Sequence, residues 1–135
     1  PDEQVTRAEF SQMIANMGDF SDLVTDKVYF NDVSASHWAF NVISVMAQNG
    51  WINGTGDGNF YPERPVTYAE AIKILVSFLG YEYKAEGYGE YPTGYFLVAN
   101  ELGITKGIKD VESDFAITRA EAAKMIFETM ERGDK

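Results

Sequence analysis

The chain has 135 residues, no cysteine and a net charge of −10, which comes from 11 basic and 21 acidic residues. This length suits one domain or two small repeats that share one core. The charge disfavours binding to nucleic acid or to an anionic membrane surface, because such binding depends on basic patches. No apolar run approaches the roughly 20 residues of a membrane-spanning helix. The lack of cysteine excludes disulfides and thiolate metal sites.

The first predicted helix covers residues 6–17 and begins with a capping box. Thr6 can cap the helix, and Glu9, three residues later, can accept a hydrogen bond from the N–H of Thr6. Apolar residues then recur at helical spacing from Phe10 onwards. Arg7 occupies the first helical position, where the macrodipole is positive and a cation is unfavourable by about 0.3–1 kcal/mol.

The second predicted helix covers residues 36–49 and ends before Gly50, a residue typical of a helix C-terminus. Its apolar spacing predicts that Trp38 and Met46 are buried. His37 is the only histidine in the chain. A single histidine makes neither a catalytic triad nor a zinc site, so we expect it to pack at the helix start.

Residues 53–62, NGTGDGNFYP, form a glycine-rich loop that partly matches a calcium-binding EF-hand loop. Counting from Asn53, oxygen-bearing residues occupy positions 1, 3 and 5, and a glycine occupies position 6. Position 12 is Arg64, where the ion needs a bidentate glutamate. We therefore expect no metal here and interpret the loop as tight glycine turns.

The second half of the chain is predicted to hold three helices, at 67–79, 93–102 and 118–131. Two of them begin with the capping-box sequences VTYAEA (66–71) and ITRAEA (117–122). Residues 81–95, YEYKAEGYGEYPTGY, are interpreted as a tyrosine- and glycine-rich connection. No sustained alternation of apolar and polar residues exists, so the sequence predicts an all-α fold with five helices.

These elements repeat along the chain. The capping-box sequence occurs three times, and residues 37–58 align with residues 90–110 so that Trp38 pairs with Tyr91 and Gly54 with Gly107. Each full unit reads as helix, glycine turn, loop and helix. The chain is expected to begin inside a unit and to keep only the second helix of that unit.

Arginine follows the capping threonine in two of the three units, at Arg7 and Arg119. A helix N-terminus beside an arginine can form an anion pocket, because free N–H groups and the planar guanidinium both suit a carboxylate or phosphate. The alternative is that each arginine pairs with a nearby acid. The candidate acids are Asp2, Glu3, Asp110 and Glu112.

Together these residues resemble the S-layer homology family. The resemblance rests on F-x-D-V (30–33), H-W-A (37–39), N-G-W-I-N-G-T-G-D-G-N-F-Y-P (49–62) and T-Y-A-E (67–70). It implies helix–loop–helix repeats packed as a pseudo-threefold helical bundle. It divides the chain into the second half of a first repeat plus a linker (1–29), a well-matched repeat (30–80) and a degenerate repeat (81–135).

The resemblance also implies a function. Members anchor exported proteins non-covalently to the bacterial cell wall, so the implied location is extracellular, at the cell wall or S-layer. The implied partner is an anionic secondary cell-wall polysaccharide with pyruvylated sugars. The residues themselves indicate no cofactor, no metal and no catalytic site. By position, Arg7 and Arg119 would bind the anion in grooves between repeats. The sugar-facing wall would consist of Ser36, Trp38, Gly54, Thr55 and Gly56.

The sequence departs from the family pattern in ways that leave alternatives open. Tyr68 stands where the other two units have arginine, and Glu90, Tyr91 and Pro92 replace H-W-A in the last unit. A structural or assembly module that has lost polysaccharide binding is therefore the second hypothesis. A glycan-processing enzyme is the third, although no motif places a pair of carboxylates as acid and base. The incomplete first unit leaves a homo-oligomer open, because its helix has an uncovered apolar face.

Overall fold

The computed structural model describes residues 3–20, 22–108 and 112–133, and within these ranges it contains six helices. They are α1 (Arg7–Met17), α2 (Phe40–Gln48), α3 (Tyr68–Phe78), α4 (Glu82–Tyr88), α5 (Thr93–Leu102) and α6 (Arg119–Gly133). The same ranges contain isolated β-bridges but no strand, which confirms the predicted all-α class. None of these helices combines the length and apolar character that a membrane crossing requires.

The three predicted capping boxes are confirmed. Thr6 Oγ1 accepts a hydrogen bond from the Glu9 N–H at 3.0 Å, and Glu9 Oε1 accepts one from the Thr6 N–H at 2.9 Å. The same reciprocal bonds join Thr67 to Glu70 and Thr118 to Glu121. Each box satisfies N–H groups that a helix start otherwise leaves without partners.

The three capped helix starts are joined in a ring by backbone hydrogen bonds. In each case the first helical N–H donates to a carbonyl that lies three residues before the capping threonine of another unit. The pairs are Arg7 with Arg64 (2.9 Å), Tyr68 with Phe115 (3.0 Å) and Arg119 with Glu3 (2.7 Å). The ring brings the start of α1 beside α3 and the start of α6 beside α1. The pseudo-threefold symmetry of the whole bundle and the division into 1–29, 30–80 and 81–135 stay predictions.

The hydrophobic core lies where the apolar helix faces meet. α1 packs against α2 and α6, and α3 packs against α4, α5 and α6. Burial of one large aliphatic or aromatic side chain contributes about 1.5–3 kcal/mol. The largest fully buried side chains are those of Phe10, Ile14, Ile43, Met46, Phe60, Ile72, Leu75, Tyr95, Ile104, Ile117, Met125 and Ile126.

The interpretation of residues 81–95 as a connection was wrong, because they contain α4. This helix has no side-chain cap, and only Ala85 of its seven residues is buried. It is held by its contact with α5, where Gly94 lets the backbones approach closely: a Cβ at Gly94 would lie 1.8 Å from the Ala85 carbonyl oxygen. The Tyr95 hydroxyl also donates to Glu86 at 3.0 Å. Contacts between two different helices leave no helical periodicity in the sequence of α4 itself.

The predicted burial of Trp38 was also wrong. The helix predicted over 36–49 starts only at Phe40, so Trp38 lies in the preceding turn and 59% of its surface is exposed. Its ring stacks on His37, with 5.7 Å between the ring centroids. Met46, which lies within α2, is fully buried as predicted.

Candidate functional site

A cavity of about 230 Å³ lies where the start of α1 approaches the start of α3. Arg7 belongs to α1, and Tyr91 lies just before α5. The remaining walls come from the loop after α2 and from the first two turns of α3. The lining residues are Arg7, Trp51, Ile52, Asn53, Gly54, Thr55, Glu70, Lys73, Ile74 and Tyr91.

Arg7 is fixed against one wall of this cavity. Its side chain is 6% exposed, its Nε donates to the Phe60 carbonyl at 2.8 Å, and its Nη1 lies 3.0 Å from Glu70 Oε2. Its guanidinium also lies over the Phe60 ring, 4.4 Å from the centroid. Burial lowers the pKa of Arg7 and the Glu70 carboxylate opposes that shift, so the group stays charged at neutral pH. A guanidinium has five N–H donors, and these partners engage two of them.

Glu70 pairs with two arginines, and a third cation, Lys73, has no ion-pair partner among the described residues. Its Oε2 lies 3.0 Å from Arg7 and 3.1 Å from Arg64, while Oε1 completes the capping box. Lys73, one helical turn further along α3, forms no ion pair with any described residue. Its ammonium lies 5.2 Å from the centre of the Tyr91 ring. The site is therefore locally cationic in a chain of net charge −10.

Aromatic side chains contribute to two walls of the cavity. Trp51 is half-buried and is held edge-on by Phe78 and Phe20, at centroid distances of 4.7 and 5.4 Å. Tyr91 is 47% exposed. Burial, and then the Glu70 carboxylate, raise the pKa of Tyr91, so its hydroxyl remains a donor at neutral pH. Rings of this kind combine an apolar face with a polar edge, as a sugar ring requires.

The glycine-rich loop is braced by two aspartates. Asp57 accepts hydrogen bonds from Thr55, Asn59 and Tyr61, and these bonds lower its pKa to about 2, with the Tyr61 hydroxyl making the largest contribution. Asp32 accepts from the backbone N–H groups of Phe60 and Tyr61, each at 2.8 Å. Both carboxylates are therefore committed to holding the loop in place against Arg7.

Gly54 allows the loop to pack closely. A Cβ at this position would lie 2.8 Å from the Asn59 carbonyl oxygen and 3.0 Å from the Phe30 ring. Contacts this short require a shift of the loop, so a larger residue would move the wall that faces Arg7.

Comparison with known proteins identifies the family. Residues 29–72 match the S-layer homology domain. The chain belongs to the S-layer homology family. It is 31% identical to a cell surface protein of Thermoanaerobacter kivui over 111 residues, which make up 79% of this chain and 14% of that protein.

Two further relatives cover almost all of the chain. A middle cell wall protein of Brevibacillus brevis is 31% identical over 134 residues, which make up 93% of this chain and 12% of that protein. A cellulosome-anchoring protein of Acetivibrio thermocellus is 27% identical over 98% of this chain and 33% of its own length. The chain thus spans at most about a third of these relatives. Their names refer to surfaces, walls and anchoring, and they confirm the extracellular, cell-wall location that the S-layer homology resemblance implied.

The structure brings together three of the seven residues that the S-layer homology resemblance singled out. Arg7, Gly54 and Thr55 line the cavity. Gly56 lies in the same loop but does not line it. Their role in binding stays a prediction.

The remaining predicted wall residues lie elsewhere. Ser36 and Trp38 do not line the cavity. Ser36 is exposed and its hydroxyl lies 2.9 Å from that of Ser34, while the neighbouring His37 bonds to Glu63 at 2.9 Å. The turn before α2 therefore contributes neither Ser36 nor Trp38 to the wall of the cavity.

Arg119 repeats the position of Arg7 in different surroundings. It starts α6, and its Nη2 lies 3.6 Å from Oε2 of Glu9, the capping-box glutamate of α1. Arg7 pairs in the same way with Glu70, the capping-box glutamate of α3. The Arg119 side chain is 40% exposed and does not line the cavity.

The predicted acid partners of the two arginines were wrong where they can be compared. Neither Glu3 nor Glu112 forms an ion pair with a described residue. Asp2 and Asp110 lie outside the described residues. The partners are glutamates of other units, which a search among sequence neighbours cannot find.

Sequence reasoning missed three residues that shape the cavity, although each carried a signal. Lys73 shares a helix face with Glu70, since residues three apart are neighbours on a helix. Trp51 follows Gly50, which comes directly after Asn49, the C-cap of α2. Tyr91 is the counterpart of Trp38 in the repeat alignment, and the alignment could not show that only Tyr91 reaches this cavity.

Proposed function

We propose that this domain holds an exported protein at the bacterial cell wall by binding an anionic, pyruvylated polysaccharide in the cavity beside Arg7. The carboxylate of the sugar substituent would lie between Arg7 and Lys73, and the sugar rings would lie against Trp51 and Tyr91. No chemical step is involved, so the domain acts as a binding module and not as an enzyme.

The observation that carries this proposal is the unpaired Lys73 ammonium beside a fixed, partly engaged guanidinium. Arg7 alone would be a weak argument, because Glu70 already neutralises it. Lys73 has no carboxylate partner among the described residues, so its charge is available to a ligand. A pocket with a few convergent polar groups and aromatic walls is the usual form of a small-ligand site. The names of the relatives add support for an anchoring role.

A structural or assembly module without polysaccharide binding is the alternative. Two observations favour it: Arg7 and Arg119 are both paired with carboxylates, and Tyr68, which replaces the third arginine, is buried. A module of this kind would assemble with further copies through apolar surface. Its mass in solution would then exceed that of a monomer, and wall polysaccharide would not bind.

The test is co-sedimentation of the domain with purified cell-wall polysaccharide, before and after chemical removal of the pyruvyl groups. We expect binding to the native polymer and a loss of at least about tenfold in affinity without pyruvate, as the loss of a charge-assisted contact pair predicts. Equal binding to both polymers would show that no carboxylate is recognised. No binding to either, together with a dimer or larger particle, would establish the assembly module instead.

A further inference from the structure

A second cavity lies at the opposite end of α3 from the Arg7 site. It has a volume of about 530 Å³ and is bordered by the C-terminal ends of α2 and α3 and by α4. Its walls include Asn49, Ser77, Gly80, Glu82, Tyr83 and Glu86. It shares no residue with the Arg7 cavity. Lys73 of the Arg7 cavity and Gly80 of this cavity lie seven residues apart, which corresponds to about 10 Å along a helix axis.

Ser77 provides the first sign that this cavity accepts a ligand. The residue is 6% exposed, and its Oγ is the one buried side-chain oxygen in the described part of the chain that has no hydrogen-bond partner. Buried polar atoms are normally paired, because leaving one without a partner is costly. A hydrogen-bonding group bound in the cavity would give Ser77 the partner that the protein does not supply.

The polar groups around the cavity are hydrogen-bond acceptors. Glu82 and Glu86 contribute carboxylates, and Glu86 accepts only one hydrogen bond from a described side chain, that of Tyr95. The Asn49 side-chain NH₂ group donates to the Val45 carbonyl at 2.8 Å, which leaves the side-chain oxygen of Asn49 available to accept a hydrogen bond. A ligand that fits these walls must therefore bring the donors.

The charge of the cavity is negative. It has two carboxylates and no basic side chain among its lining residues. α2 and α3 both end here, and a helix C-terminus carries a partial negative charge. The Tyr83 ring is 94% exposed at the rim, and an aromatic face attracts a cation. The Arg7 cavity at the other end of α3 has the opposite character, since Arg7 and Lys73 line it.

We propose that the cavity formed by Ser77, Glu82, Tyr83 and Glu86 binds a primary ammonium group. Ser77 Oγ and the two carboxylates would accept its three N–H donors, the Asn49 oxygen would lie at the wall beside them, and the Tyr83 ring would cover the group. Such a group occurs on an amino sugar with a free amine and on a lysine side chain. This binding is separate from recognition of an anion beside Arg7, so either site can exist without the other.

The experiment is a titration of the 135-residue chain, followed by NMR of its backbone amides, with glucosamine, n-butylamine and N-acetylglucosamine. We expect glucosamine to shift the amides of Ser77, Gly80 and Glu86, and N-acetylglucosamine to leave them unchanged. Shifts with both amines would indicate that any primary ammonium fits, whereas shifts with glucosamine alone would indicate an amino sugar. Both results support the proposal.

The variants separate ligand binding from folding. Replacing both carboxylates, Glu82→Gln with Glu86→Gln, is expected to weaken glucosamine binding at least about tenfold, because two charge-assisted contacts are lost. The matched control replaces two exposed glutamates elsewhere, Glu112→Gln with Glu131→Gln, and should change the affinity less than twofold. Ser77→Ala should fold normally and bind more weakly, since only an unpaired hydroxyl is removed.

Three results would overturn the proposal. The first is equal shifts with N-acetylglucosamine, which has no ammonium group. The second is unchanged affinity in the Glu82 and Glu86 double variant. The third is saturation of the same amides by Ca²⁺ with no response to either amine, which would make this a metal site. Loss of polysaccharide binding at Arg7 would leave the amine titration unaffected, so failure of one site is distinguishable from failure of the other.

Discussion

Arg7 and Arg119 share a motif, a helix position and a type of partner, yet they lie in different environments. Each begins a helix, and each pairs with the capping-box glutamate of another unit. The Arg7 side chain is 6% exposed and lines a cavity, whereas that of Arg119 is 40% exposed. The motif places each arginine at a helix start, and the neighbouring loop determines whether the guanidinium is buried beside a cavity or exposed.

The loop accounts for this difference. Residues 53–61 cover Arg7 with the Phe60 carbonyl and the Phe60 ring. Arg119 has Glu9 as its one described ion-pair partner, and no loop hydrogen bond from its side chain is described. A groove in this fold therefore needs both an arginine from one unit and a braced loop from the next. The following changes would break or sharpen this contrast, from the largest expected effect to the smallest.

Removal of each arginine should affect stability very differently. Arg7→Ala is expected to lower the free energy of unfolding by about 3 kcal/mol, because it breaks a buried ion pair and a buried hydrogen bond. Arg119→Ala should cost less than about 1 kcal/mol, since its pair with Glu9 is solvent-exposed. Urea unfolding followed by circular dichroism measures both values. Similar losses in the two variants would show that the loop does not distinguish the sites.

A change in the loop should make the Arg7 site resemble the Arg119 site. Gly54→Ala forces a Cβ to 2.8 Å from the Asn59 carbonyl oxygen, and we expect a loss of about 1–3 kcal/mol in stability together with weaker polysaccharide binding. The control is Gly87→Ala in α4, where a Cβ meets nothing within 4 Å and the change should be neutral or slightly stabilising. Full binding by the Gly54 variant would argue that the loop wall is not part of the site.

Matched lysines test whether the charge beside Arg7 recruits the ligand. Lys73 and Lys124 each lie three residues after a capping-box glutamate, on α3 and α6. Lys73→Ala is expected to weaken polysaccharide binding about tenfold, because one charge-assisted contact is lost. Lys124→Ala, on the helix that starts with Arg119, should leave the affinity within about twofold of the original. Equal effects would mean that long-range charge, and not a local pocket, attracts the polymer.

The smallest expected effect is that acid destabilises the loop of residues 53–61. The pKa of Asp57 is lowered in the folded chain to about 2 from an ordinary 3.8. A lowered folded-state pKa stabilises the fold above the unfolded-state pKa, and this contribution is lost as the pH falls from about 4 to about 2. The amide signals of Thr55 and Asn59 in NMR spectra should move across that interval. In Asp57→Asn these signals should no longer titrate there; persistence of the titration would assign it to another carboxylate.

Much of the fold could be predicted from the sequence because its signals are local. The capping boxes depend on contacts between residues three apart, and the helix ends depend on Gly50 and Gly103. Five of the six described helices were predicted on this basis. α4 was missed because its stability comes from α5, through Gly94 and Tyr95, and not from its own seven residues.

The candidate site was only half predicted, for a related reason. Arg7, Gly54 and Thr55 were found because they belong to repeated motifs. The prediction missed Lys73, Trp51 and Tyr91, and it placed the exposed Trp38 in the core. A sequence motif does not show which distant residues will pack against its own residues in the fold.

The sequence by itself determined five of the six described helices, the capping boxes, the repeats and the family, since each is encoded by residues close together in the chain. Only the tertiary structure decided that Glu70 pairs with Arg7, that Lys73 has no ion-pair partner among the described residues, and that Tyr91 lines the same cavity. Those contacts join residues that are far apart in the chain. Their geometry is set by how the helices pack, and packing depends on the shape of the whole core.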